Sequence, residues 1–210
     1  DEAGDGLNIA CNYLKWGDQA AYLDWAGLRP LSELEYEKCG RGSQFPMANE
    51  FAWGNNIYYR VIAFTNSGFS NEISSDPLSN ITVSDGQNGP IRCGAFSKNT
   101  SDRTLAGSGY YGAVELSGNV TEKCVTVGNP NGRLYDGRHG DGLIDINGHT
   151  NVPFWPDPLT GNGVSNRGGS FFASPVGNQF DVLLSDRGFA AVVYGPGDLG
   201  DGGRGCRTAQ

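Results

Sequence analysis

The sequence predicts an α+β fold in which two short helices accompany small antiparallel sheets and much irregular loop structure. The 210 residues include 33 glycines and 10 prolines, together about a fifth of the chain, and glycine costs about 1 kcal/mol against alanine inside a helix. Helix patterns are confined to the first fifth of the chain, and the apolar runs after them are short. No linker-like segment divides the chain, so we expect a single domain over residues 1–210.

The two helix patterns follow each other closely. In the stretch 17–27, apolar residues share one face and Gly27 can end the helix. In the second pattern, Ser32 and Glu35 form a capping box, and Gly40 is expected to end the helix.

Short strands are expected after the helices, where apolar or alternating runs are separated by Gly, Asn, Asp and Pro. Four Trp, nine Tyr and ten Phe supply enough apolar surface for a core despite the glycines. The candidate strands are the runs 56–65, 91–96, 112–116, 123–127 and 181–184.

Charge and hydropathy exclude two classes of partner. A net charge of -8 and a pI near 4.7 argue against nucleic acid, which needs a basic surface. We also expect no membrane insertion, because no stretch of about 18 apolar residues occurs.

Cysteine and histidine offer little material for catalysis. The five cysteines form no CxxC pair, so one or two disulfides and several buried free thiols are both open. The only histidines, His139 and His149, have neither metal-ligand spacing nor an obvious nucleophile partner, and exposed loop positions are the better interpretation.

Several blocks follow one another over most of the chain: DQAAYLDW with LRPLSELEYEK, FAWG, GYYGAVELSGNVTE, RGGSF, and SDR with GGR, beginning at residues 18, 28, 51, 109, 167, 185 and 202. In this order they resemble the formylglycine-generating enzyme (sulfatase-modifying factor) superfamily. The resemblance implies a variant of the C-type lectin fold, in which two helices pack beside glycine-rich loops and small antiparallel sheets.

The resemblance also implies bound calcium, because Ca²⁺ takes six to eight oxygens from carboxylates and carbonyls. The alternative is that the two glutamates of the block are solvated strand residues. The implied ligands are Glu115, Gly118, Val120 and Glu122. A second and weaker site would comprise Asn80, Ile81 and Asp85.

Catalysis is where the sequence departs from the family pattern. The family's enzymes hold Cu(I) between two cysteines shortly after the G-G-S block, and the corresponding positions here are near Ala173 and Asn178. The chain is therefore expected not to be an enzyme, with a metal-dependent oxidase as a remote alternative. A family disulfide joins the regions of Cys39 and Cys206, but each lies one residue from the matched position, so this bridge stays open.

Non-catalytic members of this fold include the variable proteins that retroelements diversify in bacteria and phages. By that resemblance we expect a secreted, cell-surface or phage-borne domain, receptor-like or adhesin-like, that binds a protein or glycan through a variable C-terminal surface. The alternative is a structural or assembly domain of a larger exported protein, and the oligomeric state is open. Some of the expected ligand residues could instead belong to the core. The expected ligand residues are Phe171, Phe172, Phe180, Phe189, Val192, Val193, Tyr194 and Asp198.

Overall fold

The computed structural model describes residues 6–83, 89–99, 101–173, 181–192 and 197–209. Over these ranges the chain folds into two α-helices, seven short strands and one 3₁₀ turn at Gly132–Leu134. The predicted α+β class of two helices with small sheets is confirmed. Five positions named above lie outside the described residues, namely Asp85, Asn178, Phe180, Val193 and Tyr194.

Both predicted helices are present, as α1 (Trp16–Trp25) and α2 (Glu33–Arg41). The capping box of α2 is confirmed, since the Ser32 hydroxyl accepts from the Glu35 amide at 3.2 Å and the Glu35 carboxylate accepts from the Ser32 amide at 3.0 Å. Gly40 does not end α2, which continues to Arg41. Gly42 follows with φ +67°, a left-handed value that glycine adopts at little cost.

Three small sheets form from strands that are mostly two residues long. β1 pairs antiparallel with β7, and β2 with β3. The central sheet has the order β5-β4-β6, in which β4 runs antiparallel to β5 but parallel to β6. The expectation of antiparallel sheets therefore fails for one pair, because β6 returns to β4 after a long crossover rather than a hairpin. The strands are β1 (Arg29–Pro30), β2 (Phe64–Thr65), β3 (Ile73–Ser74), β4 (Thr121–Val125), β5 (Val164–Arg167), β6 (Asp201–Gly202) and β7 (Gly205–Cys206).

The predicted strand runs are confirmed only in part. The run 123–127 overlaps β4, and the run 56–65 contains β2 at its end. The runs 91–96, 112–116 and 181–184 form no strand, although each buries apolar side chains. Positive φ values at Gly94 and Glu115 interrupt two of these runs, and each run forms only an isolated β-bridge, Arg92 with Ile9 and Val114 with Ser108.

The main core cluster packs α2 residues such as Tyr36 against Phe51, Leu116 and Val182. Phe51 also stacks on Trp53, with ring centroids 4.9 Å apart. Large aromatic side chains thus provide the packing that longer strands and helices provide in other folds.

All five cysteines are free in the structure. Cys39 and Cys206 both lie against the main core cluster, but no bond joins them. Among the described residues, no helix has the length and apolar character needed to cross a membrane.

Candidate ligand groove

A groove of about 560 Å³ opens beside the central sheet, which forms its floor. One residue from each strand of this sheet lines it: Thr121 of β4, Asn166 of β5 and Asp201 of β6. The floor therefore includes the β4–β5 pairing, the longest strand pairing among the described residues.

Asp201 organises the floor through its carboxylate. Its Oδ1 accepts from the Thr121 hydroxyl at 2.9 Å and from the Asn166 amide nitrogen at 3.1 Å. Its Oδ2 accepts from the fully buried Lys123 ammonium at 3.0 Å and from the Asp198 backbone amide at 3.1 Å. Four donors on three segments, β4, β5 and the turn before β6, therefore hold this carboxylate in place.

Two acceptor atoms at the groove have no hydrogen-bond partner within the described chain. The first is Oδ1 of Asn166, a side chain only 8% exposed, and the second is Oδ1 of Asp181. Burial raises the pKa of Asp181, and the negative charge of Asp186 nearby raises it further. Both oxygens are therefore left without a donor by the described chain, which is uncommon for buried polar atoms.

Two aromatic side chains contribute apolar surface to the walls. Phe172 is 51% exposed and lies beside the buried Phe171, with ring centroids 4.2 Å apart. The Phe171 amide donates to the Asn119 carbonyl at 2.8 Å, which fixes this turn. Phe189 lines the groove from the segment after β5.

The structure brings together three of the expected ligand residues, since Phe172, Phe189 and Asp198 all line the groove. Phe171 is a core residue that supports Phe172, and Val192 is exposed but does not line the groove. The other three expected ligand residues, Phe180, Val193 and Tyr194, lie outside the described residues.

Apart from Asp198, sequence reasoning missed the acidic and amide residues of the groove. Between residues 181 and 201 the chain carries four aspartates and a single basic residue, Arg187. This local excess of acid was the available signal. It did not show that Asn166, from a distant strand, joins the same surface.

The expected calcium residues occupy a different place, around the side chain of Arg204. Glu122 Oε1 accepts from Arg204 Nη2 at 3.0 Å, and the same nitrogen donates to the Val114 carbonyl at 2.9 Å. Glu115 Oε1 accepts from the Gly94 amide at 3.1 Å. Both carboxyl groups are buried, so neither is a solvated strand residue.

As arranged, these groups do not fit a Ca²⁺ ion, because the Arg204 guanidinium already supplies the positive charge beside Glu122. Gly118 and Val120 contribute closely packed backbone between the glutamates, and a side chain on Gly118 would meet the Thr82 carbonyl. The described residues contain no group of three or more His, Cys, Asp or Glu able to hold a metal. Calcium therefore stays a prediction from the resemblance.

At the weaker second calcium site, the Asn80 side chain is bound within the chain. The Asn80 side chain accepts from the Tyr59 amide at 2.8 Å and donates to the Thr104 carbonyl at 3.0 Å. Ile81 is a fully buried core residue. Asn80 thus anchors a loop.

The buried glutamates predict a pH-dependent stability. Desolvation raises the pKa of both Glu115 and Glu122 to about 7, despite the opposing charge of Arg204. Because the folded-state values exceed the unfolded ones, the protonated forms favour folding. This stabilisation is complete below about pH 4.5 and is lost as the pH rises through 7.

Glu115→Gln should flatten that dependence, since glutamine keeps an oxygen for the Gly94 amide and cannot ionise. We expect urea unfolding at pH 5 and pH 8 to show roughly 2 kcal/mol less change for this variant than for the wild type. Asp102→Asn, at an exposed site, should retain the wild-type dependence. An unchanged slope for Glu115→Gln would contradict the assignment.

No protein-family model matches this sequence, and no curated protein is significantly similar to it.

Proposed function

We propose that this domain is a non-enzymatic ligand-binding module, receptor-like or adhesin-like, that takes its ligand in the groove beside the central sheet. The observation that carries the proposal is the meeting of Phe172, Phe189 and Asp198 over a hydrogen-bonded floor. Two helices with small sheets and long loops are also compatible with the C-type lectin-like fold, which we propose as the specific architecture.

The groove combines the properties that recognition requires. Aromatic side chains supply contact area at low entropic cost, and small neighbours such as Gly188 and Gly200 leave room for a ligand to approach. A volume of about 560 Å³ falls within the usual range for ligand pockets. An extracellular protein or glycan is the ligand class that we propose.

Binding to glycan arrays and to intact cell surfaces tests the proposal. We expect wild-type binding to fall about tenfold or more in Phe172→Ala and Phe189→Ala, because each change removes a wall of the groove. Phe45→Ala is the matched control, since Phe45 is 94% exposed and does not line the groove.

Equal loss in Phe45→Ala, or binding that survives both groove variants, would contradict a ligand site in the groove. Ordered self-assembly without any ligand would instead favour the alternative function, a structural or assembly domain of a larger exported protein. Size-exclusion chromatography with light scattering distinguishes these results.

A further inference from the structure

The charged side chains that line the groove in the described chain are all acidic. Four carboxylates line it, from Asp181, Asp186, Asp198 and Asp201, and its described lining contains no basic side chain. The Lys123 ammonium is bound to Asp201 and is itself fully buried. Arg187 follows Asp186 in sequence, but its guanidinium donates to Glu33 at 2.7 Å.

The unpartnered polar atoms of the groove are all acceptors. Asn166 donates its amide nitrogen to Asp201, which fixes the amide orientation and leaves Oδ1 without a donor. This side chain is more than nine-tenths buried, so water cannot solvate it freely. Together with Oδ1 of Asp181, it calls for an occupant that carries N–H or O–H donors.

The size and walls of the groove favour an organic cation over a single metal ion. The cavity is far larger than one ion, and the faces of Phe172 and Phe189 cannot ligate a metal. Aromatic faces do attract ammonium and guanidinium groups. The chain uses this contact internally, with the Arg167 guanidinium 5.0 Å from the centre of the Tyr36 ring.

We propose that the groove recognises a lysine or arginine side chain presented by a partner protein. This inference rests on the proposed function and specifies its ligand. The cation would lie among Asp181, Asp186 and Asp198, since Asp201 is already paired with Lys123. It would donate to Oδ1 of Asn166 and Asp181 and pack its alkyl stem against Phe172 and Phe189. A guanidinium carries five donors in a fixed plane and matches several separated acceptors, so arginine is the preferred residue.

Capped seven-residue peptides in a glycine-serine frame provide the test, with two central residues that are Arg, Lys, Gln or Glu. Titration followed by amide chemical shifts of the ¹⁵N-labelled domain should show binding of the arginine and lysine peptides only. Raising the salt concentration from 50 to 300 mM should weaken it, because the attraction is between charges. Spermidine and Ca²⁺ alone, as separate probes, show whether any cation suffices.

Two double variants distinguish the effect of the groove carboxylates from the effect of the protein's net charge. Asp181→Asn with Asp198→Asn should weaken arginine-peptide binding about tenfold. Asp102→Asn with Asp157→Asn makes the same change in net charge at exposed positions outside the groove and should leave the affinity unchanged.

The inference is overturned if the arginine and lysine peptides bind no better than the glutamine peptide, if both double variants weaken binding equally, or if spermidine or Ca²⁺ binds while the basic peptides do not. A glycan or neutral protein whose binding is lost in Phe189→Ala would leave the proposed function standing and overturn only the cationic ligand. If no peptide, glycan or cell surface bound in the groove, both the proposed function and the cationic ligand would be overturned.

Discussion

Replacing Arg167 with methionine is expected to lower the free energy of unfolding by about 3 kcal/mol or more. Arg167 and Glu33 are each only 1% exposed, and Arg167 Nη1 lies 3.5 Å from Glu33 Oε2. Arg167 Nη2 also donates to the Leu184 carbonyl at 2.6 Å. Methionine would fill much of the volume but leave a buried carboxylate with less compensating charge and a carbonyl without its donor.

Arg138→Met is the matched control, because Arg138 forms an ion pair with Asp136 at the surface. That variant should unfold at the same urea concentration as the wild type, since exposed pairs are screened by water. Equal stability of the two variants would contradict a structural role for the buried pair. Combining Arg167→Met with Glu33→Gln should cost less than the sum of the single changes, because no buried charge is then left uncompensated.

Replacing Gly132 with alanine is the second change expected to have a large effect. A Cβ at this position would collide with the Thr126 carbonyl oxygen and lie 2.8 Å from the Gly163 carbonyl oxygen. Both are backbone atoms at the end of the β4 and β5 pairing, where the Thr126 amide donates to the Gly163 carbonyl at 2.9 Å. We expect a loss of about 3 kcal/mol, since neither strand end can move without breaking this contact.

Gly89→Ala provides the comparison, because a Cβ there would meet no atom of the described residues within 4 Å. Its thermal unfolding midpoint should stay within a few degrees of the wild type. A Gly132→Ala protein with the same midpoint would show that the strand ends adjust freely, contrary to the expectation.

Local patterns explain which parts of the fold were predictable. The capping box of α2 depends on residues three apart, Ser32 and Glu35, so it could be recognised before any tertiary contact was known. The pairing of β1 with β7 joins Arg29 to Cys206, and no local pattern marks either two-residue strand. Strand existence here depends on distant partners rather than on intrinsic propensity.

The groove, like the fold, could be predicted only in part from the sequence. The resemblance directed attention to the C-terminal segment, where Phe172, Phe189 and Asp198 indeed line one surface. It did not indicate that Arg204 would lie beside Glu122, because that contact spans 82 residues. The orphan oxygen of Asn166 also depends on the exact placement of Asp201, which sequence patterns do not encode.

The parallel pairing of β6 with β4 has a consequence for the order of folding. The Thr121 and Asp201 side chains that meet on the floor are 80 residues apart, so closing this contact carries the entropic penalty of a long loop. Contacts of such high sequence separation tend to form slowly. The helices can therefore be in place well before the groove exists, and competence to bind should appear as a late kinetic phase of refolding, after most helical signal has returned.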